Sequence, residues 1–209
     1  MVLNGIDISN HNNAYLRDRD YYDIMAADFV IMKATEGLTY KDTCLDHYYD
    51  ILHGAKDGQP DPEKLYGFYH YARPDKYNSA AAEADHFLSA VGHHAGSALF
   101  ALDVEGEALS MAENYLNAWV LIWLERVYNK TGVRPLIYCS ASETCRFHSA
   151  AAQNYGLWCA KWSSKKPTKK EIEPWTLMAI WQNGTTGGKL DTDRFYGDPD
   201  QWRRYCERC

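Results

Sequence analysis

Ala98-Leu99-Phe100-Ala101-Leu102-Asp103-Val104-Glu105-Gly106-Glu107 carries a run of strand-forming residues into an acid, a valine and a second acid, then a glycine that lets the backbone turn. Side chains alternate across a strand. Phe100, Leu102 and Val104 therefore share one face, and Leu99, Ala101, Asp103 and Glu105 share the other. The bulky face suits packing against helices, while the two carboxyls project together where the strand ends. Two neighbouring acids cannot both ionise cheaply, so one pKa is expected to rise. A proton donor beside a standing anion is what cleavage of a glycosidic bond requires. The plainer readings are a solvated strand end or a cation site, and the rest of the chain has to decide.

Outward from this stretch the chain alternates strands with helices. Val2 to Ile8 reads as a strand, followed by a polar loop and a short helical piece near Asp20 to Ala26. Phe29 to Ala34 is a continuous apolar run, as a strand buried on both faces reads. Asp42 to Lys56 reads as a helix ended by Gly54 or Gly58, with residues 58–62 as loop. Leu65 to Tyr71 is a strand, and Ser79 to Val91 a helix with Gly92 as its C-cap. Ser110 and Glu113 have capping-box spacing and open a helix with Leu116, Trp119, Val120, Trp123, Leu124 and Val127 on its core side. Leu136 to Cys139 is a strand and Ser142 to Ala152 a poorer helix. Gly156 to Ala160, Thr176 to Gln182 and Lys189 to Asp191 read as three last strands with little helix between them.

Eight strands, the first five alternating with helices, imply parallel βαβ units. The expected fold is α/β, a closed and irregular TIM-like barrel; a doubly wound open sheet is the rival. Polar residues favour closure. Asp7, Glu36, Tyr69, Asp103, Glu105, Tyr138, Trp158, Gln182 and Asp191 fall where predicted strands end, and a barrel gathers such ends at one mouth. Lys33 and Tyr71 join them. The result is an acidic, aromatic-walled cleft.

Composition limits what such a cleft serves. A net charge of −6 over 209 residues argues against general nucleic-acid binding and against attraction to anionic membranes. No apolar run reaches the roughly 18 residues of a membrane span, so no membrane insertion is expected. The 16 Tyr and 7 Trp residues suit sugar contact, because such rings stack on sugar faces and hydrogen-bond at their edges. The six cysteines lack a repeated metal-ligand spacing, Cys206-x-x-Cys209 being only half of one. Cys139 and Cys159 read as buried thiols. No metal or cofactor is expected, and the chain reads as a monomer.

A series of motifs then carries a resemblance: Gly5-Ile6-Asp7-Ile8-Ser9-Asn10-His11, Lys33-Ala34-Thr35-Glu36-Gly37, Tyr69-His70-Tyr71-Ala72-Arg73-Pro74, Leu102-Asp103-Val104-Glu105, Pro135-Leu136-Ile137-Tyr138, Leu157-Trp158, Ile180-Trp181-Gln182 and Leu190-Asp191-Thr192-Asp193-Arg194-Phe195. In this order they resemble glycoside hydrolase family 25, the Chalaropsis-type lysozymes that include many phage endolysins. The resemblance implies five βα units followed by three strands, one catalytic domain over residues 1–209, and no separate cell-wall-binding domain, so that wall affinity comes from the cleft. It also implies hydrolysis of the β-1,4 bond between N-acetylmuramic acid and N-acetylglucosamine in peptidoglycan. Glu105 would be the general acid/base, Asp103 its partner, and Asp7 and Asp191 flanking acids, with Asp193 the weaker match. Tyr69 and Tyr138 would line the scissile sugar. Asn10 and Cys139 depart from the usual His and Thr without removing an acid.

The expected chemistry has Glu105, protonated through burial and the charge of Asp103, giving its proton to the leaving oxygen. Asp103 then orients the substrate's 2-acetamido group for attack on the anomeric carbon, with net retention. Inversion through water activated by Asp7 or Asp191 is the competitor. Beside this stand bland readings. Lys33 and Glu36 form a rim ion pair, His11 and His70 are hydrogen-bonded loop and core histidines, and Asp7 and Asp191 hold strand ends. Two other functions remain open, a glycan-binding module on a dead barrel and a metal-dependent hydrolase using the acids as ligands. The first strand starts almost at Met1 with no signal-like segment. That fits a phage-type lysin released from the host cytoplasm to the wall, or a secreted enzyme with its signal trimmed.

Overall fold

The computed structural model describes residues 1–16, 20–53 and 63–208. Its strands are β1 (Leu3–Ile8), β2 (Phe29–Glu36), β3 (Tyr40–Lys41), β4 (Leu65–Tyr71), β5 (Leu99–Asp103), β6 (Leu136–Ser140), β7 (Leu157–Ala160), β8 (Ile180–Thr186) and β9 (Leu190–Phe195). Between them run α1 (Asn13–Leu16), α2 (Asp20–Ala26), α3 (Leu45–Leu52), α4 (Ala80–Val91), α5 (Glu113–Thr131) and α6 (His148–Ala152), and α7 (Pro199–Cys206) follows β9. Strand order around the sheet is β1-β9-β8-β7-β6-β5-β4-β2, and β1 also pairs with β2. The sheet is closed, and the open-sheet rival is excluded. The short β3 turns back antiparallel on the end of β2, a hairpin the sequence reading did not contain.

Inside the barrel alternate residues point inward, as the pleat demands. Leu3, Phe29, Leu65, Leu99 and Phe195 fill one end, with Ile31, Ala101, Leu136 and Ile180 above them. Gly5 has no room for a side chain, since a Cβ there would lie 2.3 Å from the Phe29 ring. Helix α7 closes the bottom. Asp198 caps it reciprocally with Gln201, with Pro199 in the first turn, and Trp202 meets Phe29 at 4.5 Å and Phe195 at 5.2 Å between ring centroids. The outward face of β5 behaves as its sequence implies. Phe100, Leu102 and Val104 are fully buried under the helices, with Phe87 of α4 5.3 Å from both Phe100 and Trp123 of α5.

Several elements differ from expectation. Ser110 does not cap α5: it closes a 3-10 turn over Gly106–Ser110, its Oγ donating to Glu107 O, and the helix starts after Ala112 without a side-chain cap. The helix expected over residues 142–152 splits into a 3-10 turn, Thr144–Phe147, and the short α6. Gly92 sits at the C-cap of α4 in right-handed geometry and opens another 3-10 turn. The strand expected from Thr176 begins only at Ile180. The end of the helix at Gly54 or Gly58, the 58–62 loop and Cys209 lie outside the described residues. Most consequential is β9, which runs antiparallel to both β1 and β8. Asp191 therefore sits near the start of its strand, not the end. It still reaches the mouth because the strand itself is reversed, pairing Asp191 with Asp7.

Candidate active site

The top layer of the barrel interior is polar. Asp7, Lys33, Asp103, Gln182 and Asp193 are all buried there among the rings of Tyr69, Tyr138 and Trp158. Above them opens a cleft of about 300 Å³ lined by Asp7, Tyr69, Asp103, Glu105, Tyr138, Trp158, Gln182 and Asp191, together with Ser9, His11, Asn12 and Trp162. Its walls are aromatic: Trp158 meets Tyr138 at 4.7 Å and Tyr69 at 6.2 Å.

The two acids where β5 ends stand in unlike surroundings. Asp103 is 6 % exposed, and its Oδ1 has no hydrogen-bond partner among the described residues. Burial and then the neighbouring Glu105 push its pKa well above the ordinary carboxylate range, against the pull of Lys33. Glu105, in extended backbone geometry, presents its surface to the cleft and is exposed. It still sits in a concave wall, and this partial desolvation raises its pKa, Lys33 opposing and Asp191 assisting. The sequence reading gave burial to Glu105; the structure gives it chiefly to Asp103, the residue one step deeper in the barrel. Gly106 then leaves the strand at φ +55°, where a Cβ would lie 2.7 Å from the Tyr71 hydroxyl. Arg146 holds the turn that follows, donating to Leu109 O at 2.6 Å and Met111 O at 2.7 Å.

A hydrogen-bonded chain fixes the opposite wall. Tyr138 Oη and Trp162 Nε1 both donate to Gln182 Oε1, at 3.0 and 3.1 Å. Gln182 Nε2 in turn donates to Asp7 Oδ2 at 2.8 Å. Trp158 Nε1 donates to Asp193 Oδ1 at 2.8 Å, and the carboxyls of Asp193 and Asp7 lie close enough to act on each other's ionisation. Burial, then Asp191, raises the Asp7 pKa to about 7 despite the bond from Gln182 and the closeness of Asp193. Burial also lifts Asp191, which is less enclosed. The phenols of Tyr69 and Tyr138 are pushed well above their usual pKa by burial and the acids around them, so both remain donors.

Lys33, Glu36 and Tyr71 are not among the residues that line the cleft. Lys33 Nζ bonds Glu36 Oε2 at 2.7 Å and lies 4.8 Å from the Tyr71 ring centroid, and Glu36 Oε1 accepts from Arg73 at 2.8 Å. The ion-pair reading holds for Lys33 and Glu36, while the charge of Lys33 still falls on Asp103 and Glu105. His70 is a core residue, its Nδ1 2.7 Å from Thr35 Oγ1 and its Nε2 2.8 Å from Glu83 Oε2, with burial lowering its pKa. His11 lies exposed at the rim. Trp162 was passed over in the sequence, although it follows β7 on the side where every other parallel strand delivers a site residue. Asp193 was ranked below Asp191, yet it is 1 % exposed and inside the acid cluster. Cys139 and Cys159 are buried neighbours on β6 and β7 with raised pKa values. Among the described residues no three His, Cys, Asp or Glu side chains are arranged to hold a metal ion, and no helix is long and apolar enough to cross a membrane.

Comparison with known proteins fits this geometry. The profile described as "Glycosyl hydrolases family 25" matches residues 6–190. The chain belongs to that family. It is therefore a glycoside hydrolase. It is 29 % identical to an N,O-diacetylmuramidase of Arthroderma benhamiae, over 87 % of this chain and 77 % of that protein. Lysozyme M1 of Streptomyces globisporus is 27 % identical over 93 % and 68 % of the two chains. The structure of a family GH25 lysozyme from Aspergillus fumigatus superposes with a TM-score of 0.75 at 28 % identity, covering 99 % of this chain and 100 % of that one.

Proposed function

We propose that the protein is a peptidoglycan-cleaving lysozyme, an N-acetylmuramidase acting on the β-1,4 bond between N-acetylmuramic acid and N-acetylglucosamine. The observation that carries this reading is the unequal pair at the end of β5: an accessible acid, Glu105, just beyond the strand, beside a buried one, Asp103, at the floor of an aromatic-walled cleft. Glu105, the exposed one of the two, reaches furthest into the space a glycosidic oxygen enters, so it is the proton donor. Asp103, whose carboxyl lines the cleft floor, is the acceptor for the N–H of a 2-acetamido group.

In the free protein burial and the charge of Glu105 favour the proton on the deeper Asp103. Sugar binding changes that balance. An N–H donated to Asp103 favours its anion, while expulsion of cleft water disfavours the anion of Glu105. The proton then belongs to Glu105, ready for the leaving oxygen. The acetamido oxygen, aligned through Asp103, attacks the anomeric carbon, and water opens the resulting cyclic intermediate with retention. Asp7 and Asp191, across the cleft, stabilise positive charge at the sugar ring.

The test is release of reducing ends from purified peptidoglycan, with mass spectrometry of the fragments and proton NMR of the first-formed anomer. Fragments ending in reducing N-acetylmuramic acid are expected, with retained configuration and undiminished yield in excess chelator. Glu105→Gln is expected to lose at least about a hundredfold in rate, the lower range for general acid catalysis. Reducing N-acetylglucosamine ends would overturn the bond assignment, an inverted product the acetamido route. Wall binding without cleavage would leave a glycan-binding barrel.

A further inference from the structure

We propose that Asp193 is a positioning residue that stays a neutral carboxylic acid: its Oδ1 accepts from Trp158 Nε1 and its own proton is donated to Asp7, fixing Asp7 as an acceptor toward the cleft. The inference deepens the muramidase reading and, for its kinetic arm, rests on it.

Three observations converge. Asp193 is 1 % exposed, so an anion there would be stripped of water. Trp158 Nε1, 2.8 Å from Oδ1, is the single donor seen at its carboxyl, and Oδ2 is buried with no donor. Its neighbour on the inner face is a second carboxyl, Asp7, and two buried carboxyls side by side need a proton on one of them. Asp7 already accepts from Gln182 Nε2 at 2.8 Å, and a donor favours the anionic form of the group it bonds. The pair's last proton therefore resides on Asp193.

The surrounding charges reinforce this placement. Asp7 on β1 and Asp191 on β9 both disfavour an Asp193 anion, as does burial, which dominates. Across the barrel, the Tyr138 phenol on β6 feels Asp193 and is held neutral in its turn. At the end of β5 the acids are Asp103 and, just beyond it, Glu105, and Lys33 of β2 acts on those two while paired with Glu36. Arg194, the adjacent cation, lies by the Trp181 ring on the outer side of the barrel. In β9 the register sets Asp193 opposite Gly5, beside Asp7 on the same inner face.

The variants are Asp193→Asn and Asp193→Leu. Asparagine keeps an oxygen for Trp158 and offers an N–H in place of the acid's O–H, so it rescues a neutral donor and cannot imitate an anion. For Asp193→Asn we expect kcat within about threefold of the parent and the pH profile of kcat/KM unmoved. Asp193→Leu, lacking the donor, is expected to lose roughly ten- to a hundredfold in kcat with KM little changed, the range for one charge-assisted hydrogen bond. Infrared spectra at neutral pH supply a readout independent of turnover: the parent minus Asp193→Asn difference is expected to show the loss of one protonated-carboxyl carbonyl band, while the band of Asp103 stays in both. An Asp193→Asn enzyme with the Asp7 limb moved more than about one pH unit toward acid would show a lost anion and overturn the proposal. So would a difference spectrum without that loss. If the parent cleaves no peptidoglycan, the muramidase reading fails while the infrared result still decides where the proton lies.

Discussion

Asp103 and Glu105 lie two positions apart where one strand ends, and the depth of a single pleat separates their chemistry. The inner acid is short, buried and partnerless at Oδ1; the outer one is longer and reaches the cleft. Which acid is which was not legible from the residues alone, because alternation fixes the face of a side chain and says nothing of its depth. Trp162 makes a similar point. At 64 % exposure it lines the cleft with its Nε1 tied to Gln182, so its ring is pinned for contact with a sugar. Trp162→Ala is expected to raise KM roughly three- to tenfold, the scale of one aromatic contact, with a smaller change in kcat. Trp162→Phe, which keeps a ring and loses the tether, should fall between parent and alanine. Steady-state kinetics on soluble peptidoglycan fragments checks both.

At the scale of the elements, apolar patterning revealed the five βα units, since helix and strand periods differ and the barrel strands are continuous apolar runs. The reversed β9 was hidden. A strand carries no local mark of its direction, and only its pairing with β1 and β8 sets it. The failed capping box has the same origin, because tertiary demands on the turn after Glu105 outweighed a local signature. That turn depends on Gly106. Gly106→Ala forces a left-handed backbone on a residue with a Cβ, costing about 1–2 kcal/mol, and drives that Cβ at the Tyr71 hydroxyl. Loss of both stability and kcat is expected, the second because Glu105 is the preceding residue. The bottom plug gives a cleaner test of packing. Trp202→Ala should cost about 3–5 kcal/mol in urea unfolding. Trp202 Nε1 has no partner, so Trp202→Phe forfeits no hydrogen bond and should cost less than about 1.5 kcal/mol.

For the whole molecule, closure of the barrel concentrates acids in one poorly solvated layer, and that layer couples folding to pH. A carboxyl whose pKa is higher folded than unfolded takes up protons on folding, so its contribution is full below the unfolded pKa and lost as pH rises through the folded value. For Asp7 these limits are 3.8 and about 7; Asp103, Asp193 and Glu105 shift in the same direction. Glu36 and Asp75, held low by their partners once burial is overcome, act oppositely and lose stability as pH falls. Stability should therefore peak in mild acid and decline from about pH 4 to pH 7. By linkage, Asp7 alone contributes up to about 4 kcal/mol of that decline. Asp7→Asn removes its share. Thermal melts across this range should show the variant with a flatter profile and a higher Tm than the parent at pH 7, while its activity on peptidoglycan drops. A parent Tm that rises steadily from pH 4 to pH 7 would mean that the acid layer is well solvated, and the desolvated cleft floor on which Asp103, Asp7 and Asp193 act would have to be abandoned.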